Sequence, residues 1–434
     1  MKTSKSTIIL SAIIIILAAG LVGTLLFVKN QPAPTRGIAP LQEIAAMDPD
    51  SSNWGVNFPN QYSTLLLTER NDERTPYGGS EPFSKLEADP RLLELFAGYS
   101  FSKEYNEERG HLNALVDVRA IKRVDENTPG TCYSCKSSNN PRLWAEMGMA
   151  KFDATLFSEL GKQITNPIGC ANCHEANSMR LIVTNPALEE ALEKQGKDWR
   201  TFTRQEMRTI VCANCHVEYY FQGDEKYLVF PWENGTRIED ISKYYADYGF
   251  KDWNHARSGA PMIKMQHPDY ELFSANSTHY RAGVACADCH MPYTRDGAAK
   301  FSTHNVRSPL LNAENACGTC HTDVAYVTDR VATIQTQVRA TMDAAEDAIV
   351  AAIEAIEAAA KETGVDTDAL TEARNLHREA QLRWDFINAE NSMGFHNPEE
   401  ALSVLSIATD LARQAQLKAV QAAGTPIILG ASSQ

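Results

Sequence analysis

Apolar and polar positions follow three different regimes along the chain. From Thr7 to Val28 there are 22 residues without a charge, with Lys2 and Lys5 ahead of them and Lys29 behind. As a helix, such a run crosses a hydrocarbon core, which needs about 20 residues. It is longer than the usual core of a secretory signal, and no clear small-residue cleavage motif follows it. The expectation is an uncleaved signal-anchor within residues 1–30, with a removed signal peptide as the alternative. Either way, the basic start keeps the N-terminus cytoplasmic and sends the bulk of the chain outside, to a periplasmic or other extracytoplasmic setting. Residues 7–28 would anchor it in the cytoplasmic membrane if they are retained.

Residues 31–52 carry Pro32, Pro34 and Pro40 and read as a linker. From about Asn53 to Asp323 neither period is sustained; the stretch is rich in Gly, Pro and aromatic residues and predicts short helices and loops. After it the character changes. Val331, Ile334, Val338, Met342, Ala345, Ile349, Ile353, Ile356 and Ala360 recur at steps of three and four, a long amphipathic helix ended by Gly364. A second helix is expected from about Asp366 to Ala389. A third starts at Asn397-Pro398-Glu399-Glu400, an N-cap, a proline at the first helical position and acids in the first turn, and ends before Gly424 and Pro426. The fold class is therefore mainly α, with an irregular region at 53–323, long helices at 324–424 and a tail at 425–434. Helices this long have enough apolar stripe to pack on their own chain and on a second copy, so a homodimer through them is expected.

The formal net charge is −14, which disfavours a nucleic-acid partner and suits a basic redox partner. An anionic substrate would then need local positive charge at its site.

The irregular region has a chemical reason. All ten cysteines fall into five Cys-x-x-Cys units: Cys132/Cys135, Cys170/Cys173, Cys212/Cys215, Cys286/Cys289 and Cys317/Cys320. Four are followed at once by histidine, namely His174, His216, His290 and His321; the first is followed by Lys136. Cys-x-x-Cys-His is the attachment signature of c-type haem, two thiols for the vinyl edges and the next side chain for the iron. Zinc would want paired Cys-x-x-Cys units or separate histidines. A disulfide framework belongs to smaller secreted chains, and a redox dithiol does not explain the abutting histidines. Five covalently bound haems are expected, and they would supply most of the core between 53 and 323. A lysine ligates iron only as a neutral amine, so Lys136 would have to be held deprotonated by burial and by the metal. The axial ligand sets haem chemistry, and the odd unit is the candidate for an open, reactive iron.

Eleven histidines are present. Beyond the four in the units there are His111, His255, His267, His279, His304, His377 and His396, and closing four irons with two histidines each would take four of these seven.

At this point the chain resembles the pentahaem cytochrome c nitrite reductases, the ammonia-forming enzymes. The lysine-bearing first unit is joined by Arg109-Gly110-His111, by Cys212 to His216 followed by Val217-Glu218-Tyr219-Tyr220-Phe221, and by Lys264-Met265-Gln266-His267-Pro268. Trp384-Asp385 and His396-Asn397-Pro398-Glu399-Glu400 also fit, so the resemblance runs from about Tyr99 to Gly424. It implies reduction of nitrite to ammonium at a haem carried by Cys132, Cys135 and Lys136. It further implies His111 as distal ligand for the Cys212/Cys215 haem, His304 for Cys170/Cys173, His279 for Cys317/Cys320 and His396 for Cys286/Cys289. Tyr219 and His267 match the family's catalytic tyrosine and histidine. The catalytic arginine matches Arg123 counting forward from Arg109-Gly110-His111, with Arg119 the runner-up on a backward count. Calcium would be held by Glu218, Gln266 and the carbonyls of Tyr219 and Lys264. His255 and His377 are left as surface or structural residues. The implied electron donor is a membrane quinol-oxidising multihaem cytochrome or a soluble one, the former fitting a retained anchor better. Two other activities stay open on sequence alone: a pure electron-transfer cytochrome, and a reductase of hydroxylamine or another small nitrogen or sulfur oxyanion.

Overall fold

In the computed structural model, three long helices close the chain: α1 (Val324–Ala359), α2 (Thr367–Asn388) and α3 (Pro398–Ala422). Each starts where a side chain can take up a free backbone N–H. Asp323 accepts from Tyr326, Asp366 from Asp368 and Ala369, and Asn397 from Glu400 ahead of Pro398. The stripe foreseen for α1 is buried at Val331, Val338, Met342, Ala345, Ile349, Ile353 and Ile356. α1 stops at Ala359, five residues short of Gly364, so Ala360 caps the helix and lies exposed. The inner face of α3 is mostly alanine (Ala401, Ala408, Ala412, Ala415, Ala419), which lets the helix axes approach closely.

These helices do not form a closed bundle of their own. One continuous apolar cluster joins Val338, Met342, Ile349, Trp384 and Val404 to Leu92, Leu95, Phe96, Trp253 and Met262 from the irregular region. The chain divides into residues 1–43 and a compact unit that begins at Ile44 and includes both regions. The structure describes residues 14, 17, 20, 40–70, 72–107 and 109–424. The expected anchor at 7–28, apart from three of its positions, and the tail at 425–434 lie outside the described residues. Among the described residues, no helix is long and apolar enough to cross a membrane.

Among the described residues, the region before α1 consists of short helices and four two-stranded antiparallel hairpins. The hairpin nearest the chemistry pairs β1 (Tyr220–Gln222) with β2 (Tyr227–Val229), Tyr220 opposite Val229. Haem was expected to supply most of this core, but around the first cysteine unit the chain builds its own. Tyr133, Leu143, Trp144, Phe152, Phe157 and Leu160 form an apolar cluster there, with Tyr133 stacked on Phe157 at 3.9 Å between ring centroids.

Each cysteine unit lies on or beside a single helical turn. The turns are 3-10 at Gly130–Tyr133, Cys170–Asn172 and Cys212–Asn214, and α at Cys286–His290; Cys317 follows directly on the helix Ala313–Ala316. Helical pitch brings residues three apart to the same side, so both thiols of a unit face one way. In three units the fifth residue is drawn onto that side by its own N–H: His174 donates to the Cys170 carbonyl (3.0 Å), His216 to Cys212 (2.9 Å) and His321 to Cys317 (2.9 Å). The lysine unit closes differently. Lys136 N–H donates to Tyr133 (2.9 Å), and the buried Asn140 amide ties down the carbonyls of Tyr133 (2.7 Å) and Ser134 (2.9 Å).

Candidate active site

Eight histidines stand in four facing pairs, and each pair joins one histidine of a cysteine unit to one from elsewhere. Ring centroids are 6.4 Å apart for His111–His216, 6.2 Å for His174–His304, 6.5 Å for His279–His321 and 6.2 Å for His290–His396. A metal–imidazole bond of about 2.0 Å on either side, plus the distance from nitrogen to ring centre, spans about 6 Å. The gaps therefore suit one iron each. Burial first, then neighbouring histidines or Lys136, pushes the pKa of His111 down to about 4. Burial likewise takes His290 and His304 down to about 4. Neutral imidazole is the form that ligates metal.

Hydrogen bonding separates ligand-like histidines from structural ones. In five of the eight, Nδ1 makes a hydrogen bond to a group outside the pair: His174 to Met179 O (2.9 Å), His216 to Asp269 (3.2 Å), His290 to Arg307 O (3.1 Å), His304 to Ser302 O (3.0 Å) and His396 to Glu390 (3.1 Å). Fixing Nδ1 as donor presents Nε2 as the ligating nitrogen. His255 and His377 differ. His255 Nε2 donates to Glu94 O (2.8 Å) while Nδ1 accepts from the N–H groups of Arg257 (3.3 Å) and Ser258 (3.2 Å). His377 contacts Ser258 Oγ and Gln381 Oε1, both at 3.0 Å. With both nitrogens of each ring occupied, these two form a buried latch between α2 and the 255–258 loop. Both are structural, and neither lies at the surface, at 1% and 0% exposure. Burial drives His377 down to about 3.

The cysteine units are neighbours in an order of their own. Cys320 and Cys317 lie near Cys289, Cys286 touches Cys212, and Cys215 touches Cys135. Cys173 is also near Cys215. Electrons entering at any unit would thus find the next close by, with the Cys132/Cys135/Lys136 unit at one end.

Beside that end unit lie Arg123 and Tyr219. Tyr219 is half-buried beside Cys135, Cys132, Glu218 and Arg123, and desolvation holds its phenol well above its usual pKa. Arg123 stacks 3.8 Å over the Phe101 ring, and its buried Nε has no hydrogen-bond acceptor among the described residues. Burial lowers its pKa from the usual guanidinium value, partly offset by Tyr219 and other neighbours. Arg119 is engaged elsewhere: Nη2 donates to the carbonyls of Gly161 (2.9 Å) and Ile164 (2.7 Å), and Nε to the Tyr133 hydroxyl (3.3 Å). The eleventh histidine, His267, follows Gln266, whose N–H donates to Glu218 Oε2 at 2.6 Å. That one bond ties the loop carrying Tyr219 to the loop carrying His267.

Glu218 is completely buried; its other oxygen accepts from Tyr245 (2.7 Å), and the Gln266 amide reaches Lys264 O (3.1 Å). Lys264 directs its ammonium away, to Asp385 at 3.0 Å. Burial raises the Glu218 pKa well above the carboxylate range, and nearby Glu271 is raised to about 8 by the same cause, with one buried oxygen lacking a partner. The buried Glu218 carboxylate and the Lys264 carbonyl, both hydrogen-bonded to Gln266, are hard-oxygen groups that fit a calcium ion, while the Gln266 amide meets that carbonyl through its NH2 group.

Residues absent from the sequence reading complete the centre: Phe101 under Arg123, Asp269 and Glu390 behind histidines, and Tyr245, Trp232 and Glu271 around Glu218. Only Asp269 had a local signal, two residues after His267.

Comparison with known proteins covers most of the chain. The pattern of the cytochrome c552 family matches residues 50–429. Cytochrome c-552 of Parabacteroides distasonis is 41% identical over 384 residues, 86% of this chain and 77% of that protein. Cytochrome c-552 of Desulfotalea psychrophila is 35% identical over 438 residues, 96% of this chain and 84% of that protein. Among solved structures, a cytochrome c nitrite reductase catalytic subunit from Desulfovibrio desulfuricans, described with two calcium sites, aligns with a TM-score of 0.84 at 37% identity over 88% of both chains.

Proposed function

Because the chain belongs to the cytochrome c552 family and shares its multihaem, mainly helical fold, we propose that it reduces nitrite to ammonium. Five c-type haems would be held by the five cysteine units, four of them closed by the histidine pairs. The haem on Cys132 and Cys135, with Lys136 as its proximal ligand, would supply an iron able to bind and reduce the anion. The observation that carries this reading is the use of the eleven histidines: four pairs take eight, the latch takes two, and His267 is left, which is a donor rather than a ligand in this reading, so the Lys136 unit is the one without a facing histidine pair.

The chain's own groups supply the rest. Arg123 offers a half-buried guanidinium whose buried Nε is free, the local positive charge that an anion needs in a protein of net charge −14. Stacked on Phe101, it is already oriented, and fixed donors aimed at developing charge lower a barrier without reorganisation. Tyr219 keeps its phenolic proton, held by burial, and can donate a hydrogen bond as nitrogen–oxygen bonds break. His267 is the second donor. Calcium on Glu218, Gln266, Tyr219 O and Lys264 O would fix the two loops that carry them. Overall, nitrite takes up six electrons and eight protons to give one ammonium and two waters. The setting is extracytoplasmic, electrons come from a quinol-oxidising multihaem cytochrome, and the homodimer forms through the long helices.

The test is product stoichiometry under anaerobic conditions with reduced methyl viologen as electron source. One ammonium formed and six viologen radicals consumed per nitrite support the reading. Nitric oxide or nitrous oxide as the main product, or no nitrite consumption by protein carrying all its haem, would defeat it.

A further inference from the structure

The acceptors behind the paired histidines fall into two chemical classes. His174, His290 and His304 donate from Nδ1 to the neutral backbone carbonyls of Met179, Arg307 and Ser302. His216 and His396 donate to carboxylates, Asp269 Oδ2 at 3.2 Å and Glu390 Oε2 at 3.1 Å. Asp269 has a second role. Its other oxygen, Oδ1, lies 3.6 Å from the same His396 nitrogen, so one carboxylate stands between rings of two different pairs, His111–His216 and His290–His396.

The arrangement is built rather than incidental. Asp269 is 8% exposed and Glu390 4%. Asn391 fixes both oxygens of Asp269, its N–H donating to Oδ1 (2.8 Å) and its amide to Oδ2 (3.1 Å). Glu390 is held by the N–H and hydroxyl of Ser392 at 2.9 and 2.6 Å. The two cysteine units concerned are in contact through Cys212 and Cys286, and the first touches the lysine unit through Cys215 and Cys135.

We propose that Asp269 and Glu390 are positioning residues that lower the reduction potentials of the two haems carried by Cys212/Cys215 and Cys286/Cys289, with Asp269 acting on both. An anionic acceptor draws the Nδ1 proton toward itself, makes Nε2 more basic and places negative charge near the iron; each effect favours ferric over ferrous haem. A carbonyl acceptor does so less. The pair next to the lysine unit would therefore hold electrons weakly and pass them on. This rests on the ligand pairs assigned above, so its test must separate the two.

The experiment is a spectroelectrochemical titration of the full holoprotein, following the low-spin haems by absorption and EPR. Asp269→Asn keeps the shape and removes the charge. Two low-spin midpoints should rise, each ferric-to-ferrous ratio at fixed poise falling about tenfold, about 59 mV for a one-electron couple. The His174–His304 haem should stay where it is. Glu390→Gln should raise only the His290–His396 haem. Glu159→Gln, an exposed carboxylate paired with Lys162, should move none. Unchanged midpoints in Asp269→Asn, a uniform shift of every haem, or an equal shift in Glu159→Gln would each overturn the proposal. So would loss of a low-spin signal in both Asp269→Asn and Glu390→Gln, which would mean that the carboxylates only hold the ligands in place. The ligand assignment has its own check: His396→Ala should turn one low-spin haem high-spin, and if it does not, the assignment fails rather than the charge argument.

Discussion

The two halves of the main unit are organised by different physics. In the long helices, position follows from period: an apolar residue every three or four places becomes a buried stripe, and the caps lie where short polar side chains meet acids or proline. Between 53 and 323, position follows from pairing. His111 and His216 are 105 residues apart in sequence and face each other at 6.4 Å. No local pattern announces such a pair. The lesson is that a region can be highly specified and still look irregular, when the specification is a set of gaps of one size rather than a repeating surface.

The sharpest way to break this contrast is to remove one attachment point. Cys132→Ser with Cys135→Ser should lose one haem by intact mass and bring nitrite turnover to background, while the helical far-ultraviolet signal of α1 to α3 persists. Collapse of the helices as well would show that the two halves are not organised separately. Lys136→His is the milder form: five haems retained, turnover strongly lowered, because the axial ligand changes and the thiols do not.

Next in size is the pair of arginines. Arg123→Ala should keep all haem and lose about 10²-fold or more in turnover, the usual cost of one donor at developing charge. Arg119→Ala should leave turnover near that of the parent protein and cost about 0.5–1.5 kcal/mol of stability, since it removes hydrogen bonds to the Gly161 and Ile164 carbonyls at the edge of the fold. The reverse result would put Arg119 at the site.

A smaller effect separates the two kinds of histidine. His377→Ala should destabilise by about 1–3 kcal/mol through the unpaired Ser258 and Gln381, with every low-spin signal intact. His279→Ala should change one low-spin haem instead. If His377→Ala altered a haem spectrum, the latch would be a ligand set.

The smallest expected effect is that of calcium, and its sign follows from Glu218. Burial raises that carboxyl above its ordinary range, so at lower pH a bound proton competes with the ion. Calcium affinity should rise with pH. Without calcium, ionising Glu218 opposes folding, so a chelator should lower Tm more at about pH 8 than at about pH 6. A chelator effect that shrinks with pH would place the ion elsewhere.

Much of this was legible in the sequence because cysteine spacing and helical period are local. The five units, the residues proposed as axial ligands within them and the three helices needed no tertiary knowledge. The end of α1 was misplaced because Gly364 lies in the turn that follows and not at the cap. His255 and His377 could not be placed, since a buried histidine with both nitrogens bound reads the same as an exposed one until its acceptors are seen. Asp269, Glu390 and Phe101 were missed for the same reason. Asp, Glu and Phe are common residues whose role here comes from what the fold sets beside them.

The most direct test of the central claim, an open haem at the lysine unit served by four closed ones, is EPR of the oxidised protein with and without nitrite, in the parent and in His267→Ala. One high-spin ferric signal should be present and should change on adding nitrite, with the four low-spin signals unaltered, and His267→Ala should retain all five. Five low-spin haems indifferent to nitrite, or a low-spin haem turned high-spin by His267→Ala, would contradict the account and make the protein an electron carrier.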